Sequence, residues 1–190
     1  MGKVVTRPAT YEDLLKVPDH LIAEIVEGEL HTSPRPSGAH ERAMTAVVKR
    51  IGPAFDDGIN GPGGWWIAME PEMHLSGDIL VPDLAGWRRE RVSEYMSGAA
   101  WDVAPDWVCE VLSPSTARFD RIRKLPKYAR HNVSWAWLVD PSLQSLEIFR
   151  LERGQWVLTA TYAGDEIIRP EPFDAADFPL GSLWLHPASA

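Results

Sequence analysis

The sequence predicts a mixed α/β (α+β) fold, a central sheet flanked by helices with additional β-hairpins. Two observations carry that prediction. Residues 105–141 read PDWVCEVLSPSTARFDRIRKLPKYARHNVSWAWLVDP. A short apolar run at Trp107-Val108-Cys109 leads through Glu110 to a Ser-Pro-Ser turn. Residues 115–130 suit a helix, and 135–139 form a second buried run. Strand, helix, strand with apolar strands on both sides is the pattern of a parallel unit in a covered sheet. The second observation is alternation around short turns. It predicts a hairpin over 21–32 about Glu27-Gly28, and another joining 146–151 to 156–162 across Glu152-Arg153-Gly154-Gln155. Ligands in parallel sheets sit beyond the carboxyl ends of the strands, and Glu110 lies near such an end.

A chain of 190 residues fits one domain over 1–190, long enough to bury a sizeable core. Cys109 is the only cysteine, which excludes an intramolecular disulfide and a thiolate metal cluster. A reducing cytoplasm is the expected compartment. No apolar run approaches the roughly 20 residues that span a bilayer. Residues 1–14 lack the apolar segment of a secretory signal. A net charge of −8 argues against a protein that coats nucleic acid without specificity. The charge is uneven, however. Arg118, Arg121, Arg123, Lys124, Lys127 and Arg130 face only Asp120 over 118–130. That excess fits either a polyanion-facing surface or a solvated helix face.

In chain order, Thr10 caps a helix start with Glu12 and Asp13 in its first turn. In the 21–32 hairpin, Ile22, Glu24 and Val26 share one face, so Glu24 sits at the sheet's end or is buried with a partner. Residues 33–38 form a loop, and 39–55 a helix with Ala43, Val47 and Ile51 at helical spacing. His40 stands in its first turn. It does not begin a HExxH zinc motif, because Met44 occupies the second histidine's place. Strands are expected at 65–69, 72–75 and 79–87, the last broken or placed on an edge by Pro82. The charged run 88–91 is expected to start a short helix towards Met96. The tail from Asp165 reads as a strand or two plus an ordered surface segment. Nine tryptophans scattered over these strands read mostly as packing. Exposed ones, with an open edge strand, would favour a homodimer.

Asp83 and Glu110 sit on strands that can be neighbours. Two carboxylates on adjacent strands are a recurring way to hold a hard divalent cation, since Mg²⁺ keeps several waters. Asp120, Lys124 and Tyr128 follow at i, i+4, i+8 on one helix face, although Pro126 should kink or restart that helix. From that face the Lys124 ammonium can approach the metal and stabilise charge on a phosphorane-like transition state or orient the attacking water. The alternative is purely structural: Asp83 capping a turn after Pro82, and Glu110 paired with Arg121 or Lys124.

These pieces resemble the Uma2 family of endonucleases within the PD-(D/E)xK superfamily. The matching segments are Glu24-Ile25-Val26-Glu27-Gly28-Glu29-Leu30, Ser33-Pro34, His40 and Val81-Pro82-Asp83-Leu84. They continue through Cys109-Glu110-Val111-Leu112-Ser113-Pro114-Ser115-Thr116, Asp120, Lys124, Tyr128 and Trp137-Leu138-Val139-Asp140-Pro141. The resemblance implies a restriction-endonuclease-like core built on a mixed sheet. It implies a Mg²⁺ or Mn²⁺ held by Asp83 and Glu110, with Glu24 as an accessory acid and Lys124 as the catalytic lysine. The superfamily's usual lysine position holds Leu112 here. DNA is the implied partner, with His40, Arg121, Lys127 and Tyr128 as substrate contacts. Two other functions stay open on the residues alone: a nuclease-fold binding module without turnover, and a metal-dependent hydrolase of small phosphate esters.

Overall fold

The computed structural model describes residues 7–35 and 38–185. Residues 36–37 of the expected loop, and residues 1–6 of the stretch inspected for a signal, lie outside the described residues. In chain order there is a helical turn α1 (Tyr11–Leu14), then strands β1 (Leu21–Val26) and β2 (Glu29–Pro34). Helix α2 (Gly38–Ile51) runs into a π-helical turn (Gly52–Asp56). Strands β3 (Trp65–Met69), β4 (Met73–Leu75), β5 (Asp78–Leu80), β6 (Leu84–Arg88) and β7 (Trp107–Val111) follow. A three-part helix comes next: α3 (Ala117–Phe119), a π turn (Asp120–Lys124) and α4 (Leu125–Arg130). The chain closes with β8 (Trp135–Asp140), β9 (Ser145–Glu152), β10 (Gln155–Ala163), β11 (Ile167–Ile168), β12 (Phe178–Pro179) and a 3-10 turn (Leu180–Leu183).

A six-stranded mixed sheet in the order β10-β9-β8-β7-β6-β3 forms the centre. Its one parallel pair is β7 with β8, Trp107 opposite Trp135 and Val111 opposite Val139. This is the strand-helix-strand unit expected from 105–141. Strand parity divides the core into two faces. Trp107, Cys109 and Val111 pack with α2 and the C-terminal segment, against Ala43, Val47, Phe173 and Trp184. Val108 and Leu112 face the other way, with Leu125, Tyr128 and Leu138. Glu110 shares the parity of Val108 and Leu112, so its carboxylate is aimed at the three-part helix. Gly86 in β6 is required by packing, since a Cβ there would meet the rings of Trp65 and Trp107 at 3.2 Å.

The second sheet, β2-β1-β5-β4, covers that second face through Val26, Leu75 and Leu80. The β1–β2 hairpin turns at Glu27 (φ 56°) and Gly28 (φ 76°), the two positive φ values a type I′ turn requires. Residues 79–87, expected as one interrupted strand, are two strands in different sheets. Ile79 pairs with Ile25 of β1, whereas Leu84 pairs with Cys109 of β7. Pro82 has no N–H for a ladder, and the chain crosses between the sheets at 81–83. The break is held from outside: Val81 donates its N–H to Glu24 Oε1 (2.8 Å), and its carbonyl accepts from Lys124 Nζ (3.0 Å).

Two helical expectations need correction. No helix follows Arg88: the chain turns at 89–91, Arg91 pairs with Asp106 at 3.0 Å, and Trp101 stacks on Trp87 at 3.7 Å. Here tertiary partners replace the helix that charge alone suggested. The helix expected over 39–55 ends as an α-helix at Ile51, and a π turn containing Pro53 completes it. The nine tryptophans are all buried or half-buried, so none of them offers the exposed surface expected for a dimer.

Candidate active site

A cavity of about 500 Å³ opens where the two sheets and the three-part helix meet. Its floor is charged: Glu24 from β1, Asp83 from the break before β6, Glu110 from β7, and Asp120 and Lys124 from the π turn. His40, in the first turn of α2, closes one side. All six are buried, Glu110 at 2% and Lys124 at 3% exposure. Residues spread over a hundred positions converge because each sits at an element's end or on its inward face.

Lys124 is the hub. Its Nζ lies 2.9 Å from Glu110 Oε1, 3.0 Å from Glu24 Oε1 and 4.0 Å from Asp120 Oδ1. Burial alone would lower this ammonium, but Glu110 and Glu24, with Tyr128 and Asp120, hold it well above its ordinary value. Glu110 is shifted upward as well, but for a different reason. Burial pushes its carboxyl well up, Lys124 pulls against that, and the neighbouring acids Asp120, Asp83 and Glu24 add to the rise. The π turn over 120–124 and Pro126 in the first turn of α4 belong together. The proline removes one helical N–H, and the wider turn ahead of it absorbs the irregularity. Tyr128 stays on the inward face beyond the proline, fully buried, and donates its hydroxyl to Glu110 Oε1 at 2.5 Å. Burial and the Glu110 charge raise its pKa well above the phenol range, which keeps it a donor.

Asp83 is held by both sides of the cavity. Its Oδ2 accepts the Val111 N–H at 2.6 Å, and its Oδ1 lies 3.2 Å from His40 Nε2. Burial would lower the His40 imidazole, but its hydrogen bond to Asp83 and the charges of Asp83, Asp120 and Glu70 together outweigh this and raise the pKa. His40 Nδ1 is buried without a hydrogen-bond partner among the described residues. Asp120, absent from the site expected from sequence, has its pKa raised from 3.8 to about 6 by burial, with Lys124 and Thr116 opposing. A raised native pKa means the folded protein holds this proton more tightly than the unfolded chain does. The resulting stability is full below about pH 4 and is lost as pH rises through 6, about 3 kcal/mol in all. Asp120→Asn removes that titration. In metal-free buffer, its melting temperature relative to wild type should rise between about pH 4 and 7. A pH-independent difference would refute the assignment.

The remaining expected residues lie elsewhere. Arg121 pairs with Glu147 at 2.7 Å and Lys127 with Asp78 at 2.8 Å, and neither lines the cavity. Tyr128 lies beneath Glu110 and also lacks access to the cavity. Among the lining residues that the sequence reading did not single out are His31 and Phe119, whose rings meet at 4.6 Å. The signal for His31 was present. A two-residue turn at Glu27-Gly28 sets Glu24 directly opposite His31.

Among the described residues, no three Asp, Glu, His or Cys side chains converge in the manner of a closed metal cage. The donor set still suits a hard cation that keeps most of its water, for which one or two carboxylates suffice. Asp83 Oδ1 contacts only His40, and Glu110 Oε2 makes no hydrogen bond among the described residues. Among the described residues no helix is long and apolar enough to cross a membrane.

Comparison with known proteins gives the family and the fold. The family model Uma2, described as "Putative restriction endonuclease", matches residues 8–180. Among solved structures, the chain is similar to one titled a "putative nuclease belonging to DUF820" from Anabaena variabilis. The TM-score is 0.73 at 21% identity, covering 93% of this chain and 97% of that one. No curated protein matches the sequence.

Proposed function

The chain belongs to the Uma2 family, and we propose that it is a divalent-metal-dependent DNA endonuclease working at the Asp83–Glu110–Lys124 cavity. One observation carries this reading: two carboxylates and a lysine, distant in sequence, are buried together at the base of an open cavity. Asp83 Oδ1 and Glu110 Oε2 would hold Mg²⁺ or Mn²⁺. The ion, when bound, supplies Lewis acidity at the phosphoryl group and lowers the pKa of a water. Lys124 places positive charge where the pentacoordinate phosphorus gathers negative charge. Glu24 fixes Lys124, Tyr128 fixes Glu110, and His40 orients Asp83, so the reacting groups are set before substrate arrives. The outer edge of β10, unpaired among the described residues, is where a homodimer would form.

The lack of a three-ligand cluster among the described residues favours, as a second reading, a nuclease-fold binding module without turnover. Titration calorimetry with Mn²⁺ separates the two, with and without a short oligonucleotide. Wild type should bind the ion, and Asp83→Asn and Glu110→Gln should each lose it while keeping native circular dichroism. No heat from wild type under either condition would leave the binding module standing.

A further inference from the structure

We infer that the site takes unpaired rather than duplex DNA, with a base beside the scissile phosphate stacking on the His31–Phe119 rings. This rests on the nuclease reading and names its substrate class. The first support is position. His31 lies directly across the β1–β2 ladder from Glu24, and directly opposed residues have Cβ atoms only about 5 Å apart. Phe119 immediately precedes Asp120 of the π turn. The ring pair therefore bridges the two walls of the cavity, next to the acids and the lysine. Both rings line the cavity and are only half-buried, so a base can reach them.

The second support is depth. The carboxylates and Lys124 lie at the base of a cavity of about 500 Å³, one side of which the His31–Phe119 contact closes. A paired phosphate is flanked by its own sugars and stacked bases and cannot descend there. An unpaired strand lacks the second strand's bulk and can turn one nucleotide into the cavity. Aromatic platforms then hold the base through its π face, whatever its identity.

The third support is charge. A protein that tracks a duplex neutralises many phosphates along a basic path. Here the basic residues of the helical segment other than the exposed Arg118 are occupied. Arg121 is paired with Glu147, Lys127 with Asp78, Arg123 with Glu29 and Arg130 with Glu27. A short footprint of stacking plus one phosphate fits this surface better than a long electrostatic one.

The test measures binding and cleavage of one fluorescein-labelled DNA oligonucleotide, single-stranded and annealed to its complement, at fixed salt. Binding is read with Ca²⁺ and cleavage with Mn²⁺, on wild type, Phe119→Leu, Phe119→Tyr and His31→Ala. The single strand should bind wild type at least about tenfold more tightly than the duplex and be cleaved faster. Phe119→Leu and His31→Ala should each lose about tenfold on the single strand only, the usual cost of one stacked base, and Phe119→Tyr should retain it. Equal affinity for both forms, or unchanged binding by the two ring-deleted variants, would overturn the inference. Cleavage of the duplex by wild type at least as fast as the single strand would do so while leaving the nuclease reading intact. Neither binding nor cleavage of either form would overturn both.

Discussion

Lys124→Met should lower the melting temperature by about 10 °C while preserving side-chain volume. Lys124 is the cation between two carboxylates, Glu24 at 3.0 Å and Glu110 at 2.9 Å, and all three residues are buried. Removing one partner of a buried ion pair leaves an uncompensated charge, typically costing about 3–5 kcal/mol. In a domain of this size each kcal/mol is worth about 2–4 °C. The loss extends to the backbone, because Lys124 also donates to the Val81 carbonyl at the crossing between the sheets. The double variant Glu110→Gln/Lys124→Met should recover part of the loss, since the pair is then neutral on both sides. Equal melting temperatures for wild type and Lys124→Met would show that the cluster is not paired as described. The same substitution should abolish cleavage, so the activity of surviving folded protein must be read below its transition.

Asp83→Asn is expected to behave in the opposite way, with a large effect on activity and a small one on stability. The asparagine amide oxygen can still accept the Val111 N–H that Asp83 Oδ2 accepts at 2.6 Å. The melting temperature should therefore stay within about 3 °C of wild type, the change expected for a single altered hydrogen bond. The formal charge facing His40 and the cavity is gone, however. Loss of a group that stabilises transition-state charge costs about 10²–10³ in rate, and loss of a metal ligand at least that. Hydrolysis of DNA by Asp83→Asn within tenfold of wild type would remove Asp83 from the machinery and leave it a structural acceptor.

The two variants separate what the cluster does for the fold from what it does for chemistry. On the proposed reading Lys124 serves both, reaching Glu110 from the following helix rather than from two residues beyond it. Leu112 occupies that near position and faces the core with Val108. The ammonium instead reaches Glu110 from the facing helix, over a π turn that widens the helix at Lys124.

Much of this was readable from local pattern. Apolar runs bounded by turns located β7 and β8, and the Glu27-Gly28 turn located β1, β2 and their register. Helical spacing put Asp120 and Lys124 on one face. The carboxylates and the lysine announced themselves by type and order. What local pattern did not reveal were facts about partners far along the chain. Residues 79–87 read as one strand because each half is apolar. Whether β5 and β6 join the same sheet depends on β1 and β7, to which they are paired. The basic run at 118–130 left a polyanion-facing surface and a solvated helix face both open, with Arg121 and Lys127 as expected substrate contacts. Arg121 and Lys127 instead meet Glu147 and Asp78, acids from other strands, and charge counting along one segment cannot see them. The same holds for the burial of Lys124 and Glu110. Sequence carries the periods of 2 and 3.6 residues that fix which face a side chain takes. Which group stands opposite is set by long-range packing, and that opposition turns a common pair of acids into a site.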